Sequence, residues 1–235
     1  MAKTIYDYWF VQFDFPDENG KPYKTSGGKM VYNKVLKREI PNGWKVCKIK
    51  DLANTGSGGT PKSTESTFYN NGNIPWINSG ELNNPFIIAT ENFITEKGLQ
   101  HSSAKLFPSN TILMAMYGAT AGKTSIISFE ATTNQAICAI MPLDNKLIHY
   151  IKFSLDNLYE YLVALSSGSA RDNLSQDKIR DLNIIVPNID VIKNFEELSN
   201  SAFEKIKLNL IQNQQLTKLR NWLLPMLMNG QVSVK

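Results

Sequence analysis

The chain has 235 residues, 42% of them hydrophobic, with 11 Phe, 9 Tyr and 4 Trp. This composition excludes a globally disordered chain and suffices for one large domain or two small ones. The formal net charge is +4, yet residues 51–190 carry 9 Lys and Arg against 13 Asp and Glu, which counts against a body that holds nucleic acid by bulk electrostatics alone.

The first 43 residues are expected to form an N-terminal docking segment. Residues 6–15 are aromatic and partly alternating, which is typical of a strand or a docking strip. Pro16 ends this run and a loop rich in Gly and Pro follows it. A short helix is predicted over 31–38, before the next loop.

Nothing in the sequence indicates secretion or membrane insertion. The first residues lack a basic stretch followed by an apolar one, and no apolar run has the length of a membrane span. Cys47 and Cys138 are far apart and lack the spacing of a metal site, so we expect two buried thiols in a reducing compartment. The expected location is the cytoplasm.

Residues 44–188 are predicted to form one globular body of mixed α and β structure. Strands are expected over 111–117 and 124–129, joined by a glycine-rich turn, with a third over 134–141. Helical spacing of leucines and isoleucines predicts a helix over 145–165. A last strand is expected over 181–187.

The C-terminal part has the pattern of one long helix. No Gly or Pro occurs from 191 to 224, Pro225 is expected to kink or end the helix, and Gly230 lies just past a final turn. A seam recurs with an average step near 3.5, the coiled-coil period. Its members are Phe195, Leu198, Ala202, Ile206, Leu210, Asn213, Leu216, Leu219 and Leu223.

Two interpretations of this helix remain open. It packs lengthwise on its own domain, or it protrudes and binds a partner along the seam. We favour the protruding helix, because about 50 Å of helix exceeds what a compact domain needs. Asn213, within an otherwise apolar seam, is a candidate for fixing the helix register, although an exposed polar position fits the sequence equally well.

The candidate catalytic motifs in the sequence are all incomplete. The segment 118–124 (GATAGKT) has three residues between its glycines, where a phosphate-binding loop needs four. The segment 83–86 (NNPF) lacks the first proline of an adenine methyltransferase motif, and we expect no glycine loop that holds a methyl donor. No Glu is followed by Lys two positions later, as metal-dependent nucleases favour, and His101 and His149 are too few for a zinc site. We expect no catalytic residue and no metal.

Polar loops offer chemistry for binding nucleic acid instead. Segment 58–63 combines glycine amides, hydroxyls and a lysine, and the residues after Trp76 carry hydrogen-bonding side chains beside a rigid aromatic ring. Segment 168–173 contains an Arg suited to guanine or phosphate and an Asn suited to adenine. The candidate DNA-binding residues are Thr60, Lys62, Ser63, Ser79, Lys123, Thr124, Arg171 and Asn173.

An ordered set of short segments spans nearly the whole chain and is more specific than any one of them. It comprises 40–44 (IPNGW), 58–61 (GGTP), 74–77 (IPWI) with Ser79 and Gly80, 106–108, 113–115, Gly118, Gly122, 134–135 (NQ), 174–175, 186–187, and, in the terminal helix, 219–220, 223–224 and 228–232. In this order the segments resemble the specificity subunit of type I restriction–modification systems.

That resemblance implies a mixed α+β fold. A DNA target recognition domain at 44–188 would follow the N-terminal docking segment at 1–43, and a coiled-coil-like spacer helix would occupy 189–235. The family's usual chain has two such domains and two antiparallel helices, gripped by modification subunits that methylate adenine. Base-contacting residues vary with the target in this family, so the resemblance transfers none of them.

The implied function is DNA recognition without chemistry. Two copies would pair through the helix seam to bind a gapped, palindromic site, with modification subunits and possibly the restriction subunit as partners. Methyl donor and ATP are expected on those partners, and no cofactor here. Three alternatives stay open. The chain is an interaction-only or truncated protein that binds the modification subunit without productive DNA recognition, or it is half of a split pair. The third alternative is a stand-alone methyltransferase, which the absence of an expected donor loop disfavours.

Overall fold

The computed structural model describes residues 1–167 and 174–232. The strands in chain order are β1 (Met30–Asn33), β2 (Arg38–Pro41), β3 (Lys45–Lys48), β4 (Ala53–Ser57), β5 (Ile74–Ile77), β6 (Phe86–Ile87), β7 (Phe93–Ile94), β8 (Ile112–Ala115), β9 (Thr124–Ile127), β10 (Thr132–Thr133), β11 (Ile137–Pro142) and β12 (Asn183–Val186). The helices are α1 (Ala2–Tyr6), α2 (Ile49–Leu52), α3 (Glu96–Gln100), α4 (Ile148–Asn157), α5 (Tyr159–Ser167), α6 (Gln176–Arg180) and α7 (Ile189–Met228). The predicted mixed α+β fold with a long terminal helix is confirmed.

A five-stranded sheet in the order β4-β11-β8-β9-β6 forms the centre of the body. Its pairs are antiparallel except β6 and β9, which are parallel. The predicted hairpin of β8 and β9 and the predicted third strand, β11, are confirmed. The last predicted strand, β12, is also present and pairs with β3 outside this sheet.

Both faces of the central sheet are buried. Ile112 and Met114 point to one face, where α4 and the first half of α7 cover them, while Leu113 and Ala115 point to the other, with Ile77 of β5. Alternate residues of a strand point to opposite faces, so a wholly apolar strand is expected where both are covered. Burial also raises the pKa of the Cys138 thiol to about 12, which keeps it protonated.

The N-terminal segment is helical from Ala2 to Val11, so of the strand or docking strip expected over 6–15 the strand is wrong. α1 continues directly into a π-helical turn over Asp7–Val11. Tyr6, Trp9, Phe10 and Phe13 are buried, at the i, i+3, i+4, i+7 spacing of one helical face. The helical period, rather than the partial alternation, decides the conformation, because it places the rings of Tyr6 and Phe10 against α4 and α7 and that of Trp9 against α7. Phe13 follows the helical turn and packs on Trp44.

The helix predicted over 31–38 is also wrong, because β1 and β2 form a hairpin there. The Asn33 side-chain oxygen accepts hydrogen bonds from the backbone N–H groups of Val35 and Leu36, each at 3.0 Å. Lys37 has a φ of +50°, in the left-handed region. An Asn-nucleated turn therefore replaces the expected helical turn.

The helix α7 has 40 residues, about 60 Å at 1.5 Å per residue. Its first half packs on the body through Ile192, Phe195 and Phe203, and His149 of α4 lies 2.9 Å from the Glu196 carboxylate. Every residue from 212 to 222 is exposed, so the second half extends beyond the domain. The first half of α7 thus packs lengthwise on its own domain, and the second half protrudes from it.

Pro225 does not end α7, although an end there was one of its two expected effects. Pro225 lies inside the helix, which continues to Met228. Gly230, with a φ of +66°, follows the last turn as predicted, and the N–H groups of Gly230 and Gln231 donate to the Leu227 and Met226 carbonyls. These bonds form a Schellman cap. Within residues 1–167 and 174–232, no helix is long and apolar enough to cross a membrane.

Candidate nucleic-acid interface

Several loops converge at one end of the central sheet. Ser57 of β4 and Ala115 of β8 lie opposite Cys138 and Ile137, at the start of β11, and Met114 lies opposite Thr124, at the start of β9. β6 runs parallel to β9 and starts at the same end. We call this end the loop edge; it comprises residues 58–63, 78–85, 116–123 and 134–136.

Two asparagines meet at the loop edge because β5 and β10 run in parallel. Trp76 pairs with Thr132 and Ile77 with Thr133, so the next residues of both strands lie side by side. There the Asn134 Nδ2 donates to Asn78 Oδ1 at 3.1 Å, and the Asn134 N–H donates to the Ile77 carbonyl at 3.0 Å. Hydrogen bonds from both the side chain and the backbone hold Asn134 in place.

Gln135, next in the chain, is exposed between two further loops. Its side-chain oxygen accepts a hydrogen bond from the Thr60 hydroxyl, and its carbonyl accepts one from the Tyr117 hydroxyl at 2.7 Å. Asn134 and Gln135 entered the sequence analysis only as part of the family pattern. The signal that could have found them is their position, because residues that directly follow a strand lie at the end of the sheet.

The glycine pair of loop 58–63 is buried, so the expectation that this loop exposes its amides is wrong for Gly59. The Gly59 N–H donates to the Thr133 carbonyl at 2.8 Å, and the Gly59 carbonyl accepts from Trp76 Nε1 at 3.0 Å. The glycines instead permit a close approach of two backbones. Thr60, Lys62 and Ser63 are exposed, as their proposed role requires.

Gly58 has no room for a side chain, so we expect Gly58→Ala to destabilise the domain. A methyl group there would lie 2.1 Å from the Thr133 carbonyl oxygen. The loop or β10 must shift, at a cost of about 1–3 kcal/mol in the free energy of unfolding, which urea denaturation would measure. Gly80→Ala is the control, because its added methyl group meets nothing within 4 Å. Equal effects of the two changes would contradict this account.

Tyr69 fixes the same loop from the other side. Its hydroxyl donates to the Pro61 carbonyl, and its ring lies 6.0 Å from the Trp76 ring in an edge-on arrangement. Desolvation by burial raises the pKa of Tyr69, so the hydroxyl stays a neutral donor. Two aromatic side chains therefore hold the backbone that presents Thr60 and Lys62.

The remaining predicted DNA-binding residues have different environments. Ser79 is half-buried in the turn after β5, and the half-buried Lys123 donates to Asn83 Oδ1 at 3.1 Å. Thr124 is 7% exposed and its hydroxyl is engaged inside the domain, so we leave it out of the interface. Arg171 and Asn173 lie outside the described residues.

Some residues of the predicted seam of α7 are buried against the domain, and the others are on the free surface of the helix. Phe195 is 0% exposed in the domain core, and Ala202 and Leu210 are partly buried against it. The other members lie on the free surface of the helix: Leu198, Ile206, Asn213, Leu216 and Leu219 exposed, and Leu223 half-buried. The distal positions 216, 219 and 223 keep the three–four spacing, and we call them the free stripe.

Comparisons with known proteins point to one family. The family model described as "Type I restriction modification DNA specificity domain" matches residues 41–213. The chain is 33% identical to the specificity subunit of the type I restriction enzyme HindI of Haemophilus influenzae, over 82% of this chain and 42% of that protein. It is 27% identical to the MjaIX specificity subunit of Methanocaldococcus jannaschii, over 100% and 53%. The chain thus spans about half the length of these relatives.

Solved structures share the fold. A type I restriction–modification S subunit from M. genitalium superposes with a TM-score of 0.58 at 15% identity, over 78% of this chain and 45% of that one. An S subunit from Thermoanaerobacter tengcongensis gives 0.53 at 15% identity, over 86% and 48%. At this identity the likeness concerns the arrangement of helices and strands alone.

Proposed function

Because the chain belongs to the family of type I restriction–modification DNA specificity domains, we propose that it recognises a DNA sequence through the loop edge and does no chemistry of its own. The observation that carries the proposal is the meeting of Asn78, Asn134 and Gln135 at one end of the sheet. Asn and Gln side chains form paired hydrogen bonds with adenine in the major groove, and each such pair contributes about 1–3 kcal/mol of discrimination.

Specificity and affinity would have different sources. The segment 51–190, which contains the loop edge, is acidic overall, with 9 basic against 13 acidic residues. Contacts to base edges select a sequence, whereas contacts to phosphates supply most of the affinity. We therefore expect modification subunits, bound as partners in a complex, to provide many of the phosphate contacts.

We also propose that two copies pair through the free stripe of α7. An exposed apolar stripe at coiled-coil spacing is incomplete without a second helix, and the distal half of α7 projects from the domain. A two-fold pair of domains separated by such helices would recognise an inverted repeat with a central gap. The alternative, favoured by the same helix, is a chain that binds the modification subunit without productive recognition.

Methylation mapping separates these functions. The chain is co-expressed with a modification subunit, and methylated adenines are mapped across the host genome. DNA recognition predicts one gapped, palindromic motif that is absent without the chain. A stable complex that yields no methylation motif would refute the proposal and favour the binding-only alternative.

Within the same assay, Gln135→Ala is expected to reduce methylation at the mapped motif or to relax one base position of it. Loss of one amide contact corresponds to about 1–3 kcal/mol, a factor of about 5–150. Asn145→Ala is the matched control, because Asn145 is exposed at the opposite end of the sheet, after β11. An unchanged motif and extent of methylation in Gln135→Ala would remove this residue from the interface.

A further inference from the structure

A cavity of about 400 Å³ lies at one corner of the loop edge. Asn83, Asn84 and Pro85 form one wall, and the turn that leads into β9 forms another. The C-terminal part of α4 closes it with Lys152 and Asp156, and Tyr159 of α5 lies at its rim. Two lysines and one aspartate line the cavity, which leaves one net positive charge.

Lys152 is the unusual member because it is a buried charge, only 4% exposed. Its Nζ donates to Asp156 Oδ2 at 2.6 Å and to the Thr124 hydroxyl oxygen at 3.1 Å, and that hydroxyl donates to Asp156 Oδ1. Stability does not explain such a pair, since an apolar side chain of similar volume often serves a core as well or better. What the pair does is fix the start of β9.

Lys123 directly precedes that fixed point. Its ammonium group uses one of three N–H donors on Asn83 Oδ1, at 3.1 Å. Both Asp156 oxygens already accept hydrogen bonds, so the carboxylate is compensated within the cluster. The cavity therefore presents an ammonium group with donors to spare, held by Asn83 on one side and by the anchored Thr124 on the other.

We propose that this cavity binds a single phosphate group of the DNA backbone, with Lys123 as the contact and with Lys152, Asp156 and Thr124 as its positioning residues. The inference rests on the proposed function and deepens it. The amide side chains of the loop edge would select bases, while this corner fixes the register of the domain on the duplex.

The test measures binding of the full chain, in complex with a modification subunit, to a fluorescently labelled duplex that carries the mapped methylation motif, over a range of salt concentrations. A lost phosphate contact lowers the slope of log affinity against log salt by about 0.9, and we expect this for Lys123→Gln for each copy of the chain on the DNA. Lys146→Gln is the control, since Lys146 is exposed at the opposite end of the sheet, and it should leave the slope unchanged.

Positioning by Lys152 is tested with a double-mutant cycle. Lys152→Met should weaken binding about threefold in the wild-type background and by less than about 1.5-fold in the Lys123→Gln background, because only coupled residues behave non-additively. Equal losses in both backgrounds would assign Lys152 a structural role only. If Lys123→Gln leaves the slope unchanged although the wild-type complex binds DNA, the phosphate site is refuted; if the wild-type complex binds no DNA, the proposed function itself fails.

Discussion

Replacing Phe195 by alanine is expected to lower the free energy of unfolding by about 3–5 kcal/mol. The side chain is 0% exposed, and its ring lies 5.0 Å from that of Phe10, nearly perpendicular to it. Tyr6 and Phe153 also lie within ring-contact distance, at 6.1 Å each. Because this one ring joins α7 to the N-terminal helix and to α4, its removal leaves a cavity that rigid neighbours fill poorly.

Leu216→Ala is the matched control for Phe195→Ala. Both positions belong to the predicted seam of α7, but Leu216 is 61% exposed on the distal half. We expect its effect to stay within about 0.5 kcal/mol, as for other exposed positions. Urea denaturation at high dilution, where self-association does not contribute, measures both values. Similar losses for the two variants would mean that the first half of α7 is not docked on the domain.

The elements that the sequence predicted correctly are those with a strong local signal. Strands β8 and β9 flank a glycine turn, and α7 has an uninterrupted helical period. The errors arose where two patterns compete over a short span. The aromatic residues in 6–15 fit an alternating period and a helical period equally well. Lysine has no preference for the left-handed backbone conformation that Lys37 adopts, so the sequence did not predict the turn there.

The candidate interface was only partly predictable because it depends on strand register. Thr60 and Lys62 were found as members of a polar loop, but Gln135 joins them only through the pairing of β4 with β11. Lys152 and Asp156 are four residues apart and have the pattern of a solvated helix pair. Only the packing of α4 on β9 shows that the lysine is buried.

Periodicity likewise does not tell which side of a helix its own domain covers. Phe195 and Leu219 are both members of the predicted seam, but Phe195 lies in the core and Leu219 is 49% exposed. The pairing proposal therefore concerns the free stripe alone. A pair of lysines placed there tests it without disturbing the docked half.

The double variant Leu219→Lys and Leu223→Lys is expected to weaken self-association at least about 100-fold. Each leucine buried in a helix pair contributes about 1.5–3 kcal/mol, and a two-fold pair buries each position twice. The four introduced charges would also repel one another across the seam. Sedimentation equilibrium over a range of concentrations measures the change in the dissociation constant.

The double variant Gln214→Lys and Asn221→Lys is the control for the effect of added charge alone. These exposed residues lie on the opposite side of α7, roughly 140–160° from Leu216 at 100° per residue. The control adds the same number of lysines to the same half of the helix and should pair like the wild type. A wild-type chain that stays monomeric at high concentration would contradict the pairing proposal, as would equal weakening in both variants. DNA recognition by a single domain would survive either result, because the loop edge and the free stripe share no residue.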